Sequence, residues 1–467
     1  MANYNMSVKV FVEKSRTGEI DYSDFFPKYM EEVKNANKKF DLLNTIVDTR
    51  PEKTGKSLYG LPISVKDCIC VNGVQSTAGS RILEGYKPPF NATVIENLKK
   101  ESATIIGKTN QDEFGFGTFS TNSGFGVPKN PLDTTRSCGG SSGGAAGIVR
   151  ALSLPHIAIA ESTGGSISCP AAFCGVIGLT PTYGLVSRYG LIDYANSLDK
   201  IGPIGKYIYD VALALSIISG HDPKDSTSIN KKPDRYHENL GADLRKVKIG
   251  IPKEYMENLD KKIEGCIWDS IKTLEKYGAT YEEVSLPHTK YSLAAYYIIA
   301  TAEASTNLAK FSGMRYGQEA EISGNFNEYF SKVRTKYFGE EAKRRILLGT
   351  FARMAGYRDQ YYMKAMKVRT LVIEDFKKAF KKVDVLAAPT MPVIAPKFSE
   401  IEKLTPIENY MMDVLTVAPN LAGVPMLSMP CGKVDGMPVG LHLIGDHLQE
   451  QKILDLGYEF EDMVHGT

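Results

Sequence analysis

Residues 155–168 read Pro155-His-Ile-Ala-Ile-Ala-Glu-Ser-Thr-Gly164-Gly165-Ser166-Ile-Ser168. The first six, 155–160, are apolar apart from His156 and have the length of a strand buried on both faces. Residues 161–168 are polar with two adjacent glycines, which predicts a tight turn, and 169–175 continue as a short turn or helix. A serine on a sharp glycine-flanked turn at a strand end exposes its hydroxyl, and consecutive backbone N–H groups there can point at one oxyanion. The G-x-S-x-G pattern of a nucleophile elbow is absent, so this stretch by itself does not decide an activity.

Outward from it, short apolar runs alternate with helical periodicity. Strands are expected at 61–65, 103–107, 247–251, 383–388, 426–429 and 438–444. Helices are expected at 92–101, 145–152, 211–219, 260–277 and 450–463, and 289–380 reads as mostly helical. Asn91 or Thr93 would cap the first of these helices and Asp210 the third, which ends at Gly220. The alternation argues for an α/β sheet. Near the N-terminus Val8, Phe11 and Val12, then Phe25, Met30, Val33 and Phe40, recur at helical spacing, giving two helices interrupted near 16–22. Residues 115–147 are dominated by Gly, Ser, Thr and Asn, yet Phe114, Phe116, Phe119 and Phe125 punctuate the region. Such aromatics pack, so the region reads as an ordered, backbone-rich surface laid over the core and not as a linker.

The chain of 467 residues has 43% apolar and 24% charged residues, the composition of a globular protein with a large core. Its 56 basic and 54 acidic residues leave a charge of +2, no electrostatic footprint for nucleic acid or an acidic membrane surface. If RNA is a partner, another subunit supplies the contacts. The seven cysteines lack disulfide-framework spacing and read as free thiols. Cys68 and Cys70 stand too close for a structural zinc pair, and no metal site is expected. Residues 1–14 are polar, with no apolar signal region, and no run of about eighteen apolar residues exists to span a membrane. A cytoplasmic location is expected, or a mitochondrial one for an organellar homologue.

Three segments carry chemistry. In Gly60-Leu-Pro-Ile-Ser-Val-Lys66-Asp67, Lys66 ends an apolar strand, where burial would disfavour its charge and make it a general base. The plainer reading is a strand-end lysine in water. In Cys138-Gly-Gly-Ser141-Ser142-Gly-Gly144, four glycines around two serines allow close backbone approach, and no Lys-Ser/Thr ending marks a phosphate loop. The third segment is the Ser166 turn. A serine needs a base to become nucleophilic. No histidine lies in a recognisable hydrolase pattern, and His156 reads as a satisfied core residue. A Ser–Lys arrangement supplies a base without one.

Taken together and in this order, Gly60-Leu-Pro-x-x-x-Lys66-Asp67, Gly139-Gly-Ser-Ser-Gly-Gly144, Thr163-Gly-Gly-Ser166-Ile and Ala171-Ala-Phe-Cys-Gly-Val-Ile-Gly-Leu179 resemble the signature of the amidase-signature family. The resemblance implies an α/β fold with a central mixed sheet covered by helices on both faces. It implies a single domain over 1–467, with N-terminal helices at 1–50, a catalytic core at 57–230, a helical segment shaping the substrate pocket at 289–380, and the rest of the core at 383–467. It also implies a triad of Ser166 as nucleophile, Ser141 in a cis peptide as relay and Lys66 as base, with Ser142 the alternative to Ser141. The backbone N–H groups of Thr163, Gly164 and Gly165 would form the oxyanion hole.

Within the family, Pro181-Thr-Tyr-Gly-Leu-Val-Ser-Arg-Tyr-Gly190, Ser197-Leu-Asp-Lys-Ile-Gly-Pro203, Gly220-His-Asp-Pro-Lys-Asp-Ser-Thr227, Ala302-Glu-Ala-Ser-Thr-Asn-Leu308 and Asn420-Leu-Ala-Gly-Val-Pro425 resemble the glutamine-hydrolysing subunits of tRNA-dependent amidotransferases. What this implies is glutamine as substrate, with Asp413 facing its α-ammonium, Arg345 or the adjacent Arg344 its α-carboxylate, and Tyr297 lining the pocket. It implies no cofactor in this chain, with ATP and Mg in a partner subunit. The partners would be the B and C subunits of the assembly, and misacylated tRNA reached through them. The pattern is broken in places: Glu161-Ser162 stands where Ser-Asp is usual, Ser168 where Arg is usual, and one extra residue separates the serine motifs. The absent Asp and Arg would brace the nucleophile turn, which weighs towards reduced activity. The rival readings are a stand-alone amidase for another small amide and an inactive scaffold subunit; the charges at 344, 345 and 413 count against the first.

Overall fold

The computed structural model describes residues 4–48 and 56–465. Residues 1–3, 49–50 and 466–467, at the margins of the sequence reading, lie outside the described residues. In chain order the strands are β1 Leu43–Ile46, β2 Pro62–Lys66, β3 Thr104–Thr109, β4 Lys129–Asn130, β5 Asp133–Ser137, β6 Ile157–Ser162, β7 Ile177–Thr180, β8 Lys200–Gly205, β9 Lys248–Pro252, β10 Thr280–Val284, β11 Val385–Pro389, β12 Met426–Val434 and β13 Met437–Gly445. Eleven form one sheet in the order β1-β3-β2-β6-β8-β7-β12-β13-β11-β9-β10, and β4 pairs with β5 in a separate hairpin. The sheet is mixed. β2 lies parallel to β3 and β6, and β9 parallel to β10 and β11, whereas β8, β7, β12 and β13 run antiparallel to their neighbours.

Every residue of β2, β3, β6, β7, β8, β11 and β13 is buried. That requires cover on both faces, which the hairpin β12–β13 illustrates. A Cβ on Gly457, in the helix Glu450–His465, would meet Leu427 and Met429, and a Cβ on Gly440 would meet Ala172, in the helix Ser168–Cys174. Met429 pairs with Leu441, the residue after Gly440, so the period-two alternation sends the two helices to opposite faces. The expected mixed α/β architecture is therefore the one observed.

Several boundaries move. The strand expected at 155–160 runs from Ile157 to Ser162, so Glu161 and Ser162 belong to the sheet and not to the turn. Neither Asn91 nor Thr93 caps its helix: Ala92 holds that position, while Asn91 bonds Glu96 and the Asn72 N–H, and Thr93 bonds Asp222. Asp210 is inside the helix Ile208–Ile218; it reaches back to the N–H groups of Lys206 and Tyr207, closing the helix start from its third position. β1, β7, β8 and β10 escaped the sequence reading because short or half-polar runs carry no periodicity.

Residues 115–147 are ordered as expected, with the hairpin β4–β5 and the start of the helix Gly143–Ala151 inside them; Phe114, Phe116 and Phe119 are buried, and Phe125 is half-buried under the Arg81 guanidinium. At the N-terminus, Val8–Arg16 and Tyr22–Phe40 form the two expected helices and bury Phe11, Phe25 and Tyr29. The Tyr29 hydroxyl lies 2.7 Å from Nδ1 of His156, whose Nε2 lies 2.9 Å from Ser64 Oγ; burial drops the imidazole pKa to about 3, so His156 is a neutral structural residue. All seven cysteines are unpaired, and no helix among the described residues is long and apolar enough to cross a membrane.

The helical segment is interrupted between Lys310 and Phe326, and its helices Thr289–Asn307 and Glu340–Arg353 cross at Gly349. A Cβ at Gly349 would overlap the Thr301 carbonyl. Gly349→Ala is expected to force these helices apart and cost about 1–3 kcal/mol. Gly265, in the helix Lys261–Lys276 with open space around it, provides the opposite case. Gly265→Ala should stabilise the protein by roughly 0.4–1 kcal/mol through helix propensity and chain entropy. Chemical denaturation of the two variants measures both signs.

Candidate active site

Lys66 is the last residue of β2 and wholly buried. Its Nζ donates to Ser141 Oγ at 2.8 Å, to the Glu161 carbonyl at 2.9 Å and to Glu161 Oε2 at 2.9 Å. These three acceptors satisfy all three donors of an ammonium. From sequence, burial is the only influence expected on Lys66. The structure adds a buried carboxylate, visible in the sequence only as a departure from the family pattern.

Ser141 follows the cis Gly140–Ser141 peptide and is fully buried. Ser142 turns the other way and donates to the Glu161 carbonyl at 3.0 Å, so of the two serines Ser141 alone bonds Lys66 Nζ. Both sit at the start of the helix Gly143–Ala151, where a side chain on Gly144 would collide with backbone atoms of Leu42 and Asn110. The glycines of this motif thus let the serine loop sink between two neighbouring segments.

Ser166 lies in the turn between β6 and the helix Ser168–Cys174 and is 7% exposed. Its hydroxyl has no hydrogen-bond partner among the described residues. The backbone N–H groups of Thr163, Gly164, Gly165, Ser166 and Ile167 likewise bond to no acceptor among them. Buried N–H groups without partners are uncommon, and a run of them beside a free hydroxyl can receive an anionic oxygen.

The two bracing residues missing from the turn have substitutes. Ser162 Oγ donates to the Gly164 carbonyl at 3.1 Å, Asn420 Nδ2 bonds the Thr163 carbonyl, and Ser168 Oγ lies 3.4 Å from Nε2 of a buried, neutral His442 whose pKa burial lowers to about 3. A Cβ on Gly164 would stand 2.8 Å from the Tyr296 hydroxyl, and one on Gly165 would stand 2.5 Å from Thr416 Oγ1. The turn is therefore clamped by the segments that also form the neighbouring pocket.

That pocket holds opposite charges. Asp413 accepts from Tyr297 Oη at 2.6 Å and from Thr118 Oγ1 at 3.1 Å; burial pushes its carboxyl up, against the pull of both donors and of Arg345. Arg345 is buried with its guanidinium over the rings of Phe116, Tyr194, Tyr297 and Tyr410, at 5.1–5.7 Å. Its Nε donates to Glu341 and Nη1 to Tyr194, leaving Nη2 without a partner among the described residues. Arg344 bonds the same Glu341 but is 41% exposed. Both arginines, Thr118 and Tyr410 wall a cavity of about 610 Å³. The Thr118 carbonyl also accepts from the Gly140 N–H at 2.7 Å and from Cys169 Sγ at 3.5 Å, which ties this pocket to both serine loops.

Sequence reasoning missed Glu341, Thr118, Tyr194, Tyr410 and the role of Asn420. Glu341 had one legible signal, its position three and four residues before two adjacent arginines on a helix. The others had none, because they come from separated segments of the chain.

The Amidase family model matches residues 33–454. The chain is 48% identical over 466 residues to the A subunit of glutamyl-tRNA(Gln) amidotransferase from Methanosarcina mazei, covering 98% of this chain and 96% of that one. It is 52% identical over 405 residues to the protein of that name from Methanococcoides burtonii, covering 86% and 84%. Among solved structures, the A subunit of glutamyl-tRNA(Gln) amidotransferase from Thermotoga maritima superposes with a TM-score of 0.84 at 34% identity, covering 99% of this chain and 96% of that one. The peptide amidase of Stenotrophomonas maltophilia superposes with a TM-score of 0.82 at 26% identity, covering 98% and 97%.

Gly165→Ala is expected to displace the turn and cost about 1–3 kcal/mol, with much of that cost relieved in a Thr416→Ala background that removes the colliding hydroxyl and methyl. A double-mutant cycle in denaturant reads the coupling; additivity would show that the two residues do not press on each other.

Proposed function

The chain belongs to the Amidase family, and from that membership we propose that it is the glutamine-hydrolysing subunit of a tRNA-dependent amidotransferase. The observation that carries the reading is the pairing of Asp413 and Arg345 around one tyrosine, Tyr297, tied through Thr118 to the loop whose Ser141 bonds Lys66. A free amino acid presents an ammonium and a carboxylate together, and a neutral small amide needs neither charge. The relatives named as amidotransferase subunits match along almost the whole chain, which supports the same substrate class.

In this reading Ser166 attacks the side-chain amide carbon of glutamine. Its proton passes to Ser141 Oγ as the Ser141 proton passes to Lys66 Nζ. Negative charge growing on the amide oxygen is met by the free N–H groups of the turn, those of Thr163, Gly164, Gly165 and Ser166. The same relay returns a proton to the leaving nitrogen. Ammonia departs, and water cleaves the glutamyl ester by the reverse path. Asp413 holds the α-ammonium and Arg345 the α-carboxylate through its free Nη2, while Arg344 forms the pocket mouth. The ammonia is delivered to the B and C subunits, where ATP and Mg activate the misacylated tRNA; this chain itself needs no cofactor. A cytoplasmic site of action follows from the same reading.

Ser166→Ala is expected to abolish ammonia release from glutamine without loss of fold, since its hydroxyl makes no hydrogen bond among the described residues; persistent release would remove Ser166 from the nucleophile role. Asp413→Asn is expected to raise the KM for glutamine by about 10- to 100-fold, a buried charge pair being worth roughly 1.5–3 kcal/mol. Hydrolysis of a short aliphatic amide should change little in that variant. Equal loss on both substrates would mean that Asp413 supports the site and does not recognise the ammonium.

A further inference from the structure

Lys66 is buried against a carboxylate, whereas the relay needs it as a neutral amine. We infer that Glu161 is the positioning residue that resolves this conflict, by sharing a proton with Lys66 across their buried contact so that the base is generated inside the protein and not by loss of a proton to water. The inference rests on the reading of Lys66, Ser141 and Ser166 as a hydrolytic relay.

Three observations carry it. Glu161 is 3% exposed and its Oε2 is 2.9 Å from Nζ, a direct donor–acceptor contact with no room for solvent. The Glu161 carbonyl accepts from Nζ as well, so both ends of the residue hold the amine. Thirdly, the Thr163 hydroxyl stands 2.8 Å from Glu161 Oε1 and 2.9 Å from Asp199 Oδ1. That hydroxyl has one proton to donate, so both bonds are made only if one of the two acids is itself protonated. Burial, reinforced by the Glu161 charge, pushes the Asp199 carboxyl well up even though it accepts from the N–H groups of Tyr194 and Ala195. Of the two acids, Asp199 is the one whose carboxyl burial raises, which orders the hydrogen-bonded cluster as Asp199, Thr163, Glu161, Lys66.

The step balances within the cluster. An Nζ–H bond breaks and an Oε2–H bond forms, turning the ammonium–carboxylate pair into an amine and a carboxylic acid. The electron pair stays on nitrogen. Rotation about the Cε–Nζ bond then aims it at Ser141 Oγ, 2.8 Å away. Charge in a dry site is costly, and this exchange removes two charges together. The remaining ionisable groups facing the pair are Cys68, kept protonated by burial; Asp112, raised to about 6 by burial; and, beyond them, the Asp67–Lys108 pair, Tyr194 and Arg345.

The test is kcat/KM for glutamine against pH in the assembled enzyme, for the wild type, E161Q and E161S. Without the acid, Lys66 must release its proton to water. The acid limb should therefore move to higher pH by about one unit or more, with activity recovering on the alkaline side. A parallel loss at every pH would reduce Glu161 to a structural role, and an acid limb moving down would mean that it opposes the base; either overturns the inference. If neither variant folds, the wild-type profile decides. An acid limb below about pH 7 agrees with an internally shared proton, and one at any higher pH marks a lysine titrating against water and overturns it. Ser166→Ala separates the two readings. Ammonia release by that variant would sink the relay itself, whereas an inactive Ser166→Ala alongside an unshifted E161Q profile would sink only the part given to Glu161.

Discussion

One buried nitrogen organises this protein. Lys66 Nζ meets the end of β6 and the serine loop before the helix Gly143–Ala151, at a point where β2 and β6 run side by side and parallel. A lysine is seldom buried unless every donor is used. Here the donors are shared between Ser141 and the two ends of Glu161. The serine loop and the strand end are thus fixed relative to Lys66, and the turn that carries Ser166 begins directly beyond that strand end. The flanking contacts exist to hold this arrangement in a place without water.

The pocket is built by a different principle. Its residues come from helices and loops outside the parallel strands, and its shape depends on aromatic faces around one guanidinium. Arg345 spends two of its donors on Glu341 and Tyr194, which fix its plane, and keeps Nη2 free. Asp413 is fixed by Tyr297 and Thr118. Thr118 bonds Asp413 through its side chain and the serine loop through its carbonyl, so the pocket and the serine loop share one residue.

Read from sequence, the motifs at 60–67, 139–144 and 163–167 located the parts of the site, and the strand–helix alternation located the sheet. The errors have local causes. Asp210 closes its helix from the third position and not from the cap position, and Asn91, one residue before the cap, bonds the Glu96 side chain and the Asn72 N–H. The strand before Ser166 extends two residues further than its apolar run, because pairing with β8 and not hydrophobicity ends it. That shift puts Glu161 in the sheet, pointing at Lys66, instead of in a solvent-facing turn.

By itself the sequence determined the family, the order of the strands' apolar runs, and which serines and which lysine could form a relay, since these depend on residue type and short-range spacing. Only the tertiary structure decided that Ser141 and not Ser142 meets the lysine, that Arg345 is buried in the pocket wall while Arg344 stands exposed at its rim, and that Glu161 bonds Lys66 and reaches Asp199 through Thr163. Each of those outcomes turns on the direction of a side chain across a gap of about 3–5 Å. Sheet register and helix rotation set such directions, while neighbouring residues in the chain look alike until the strands are paired.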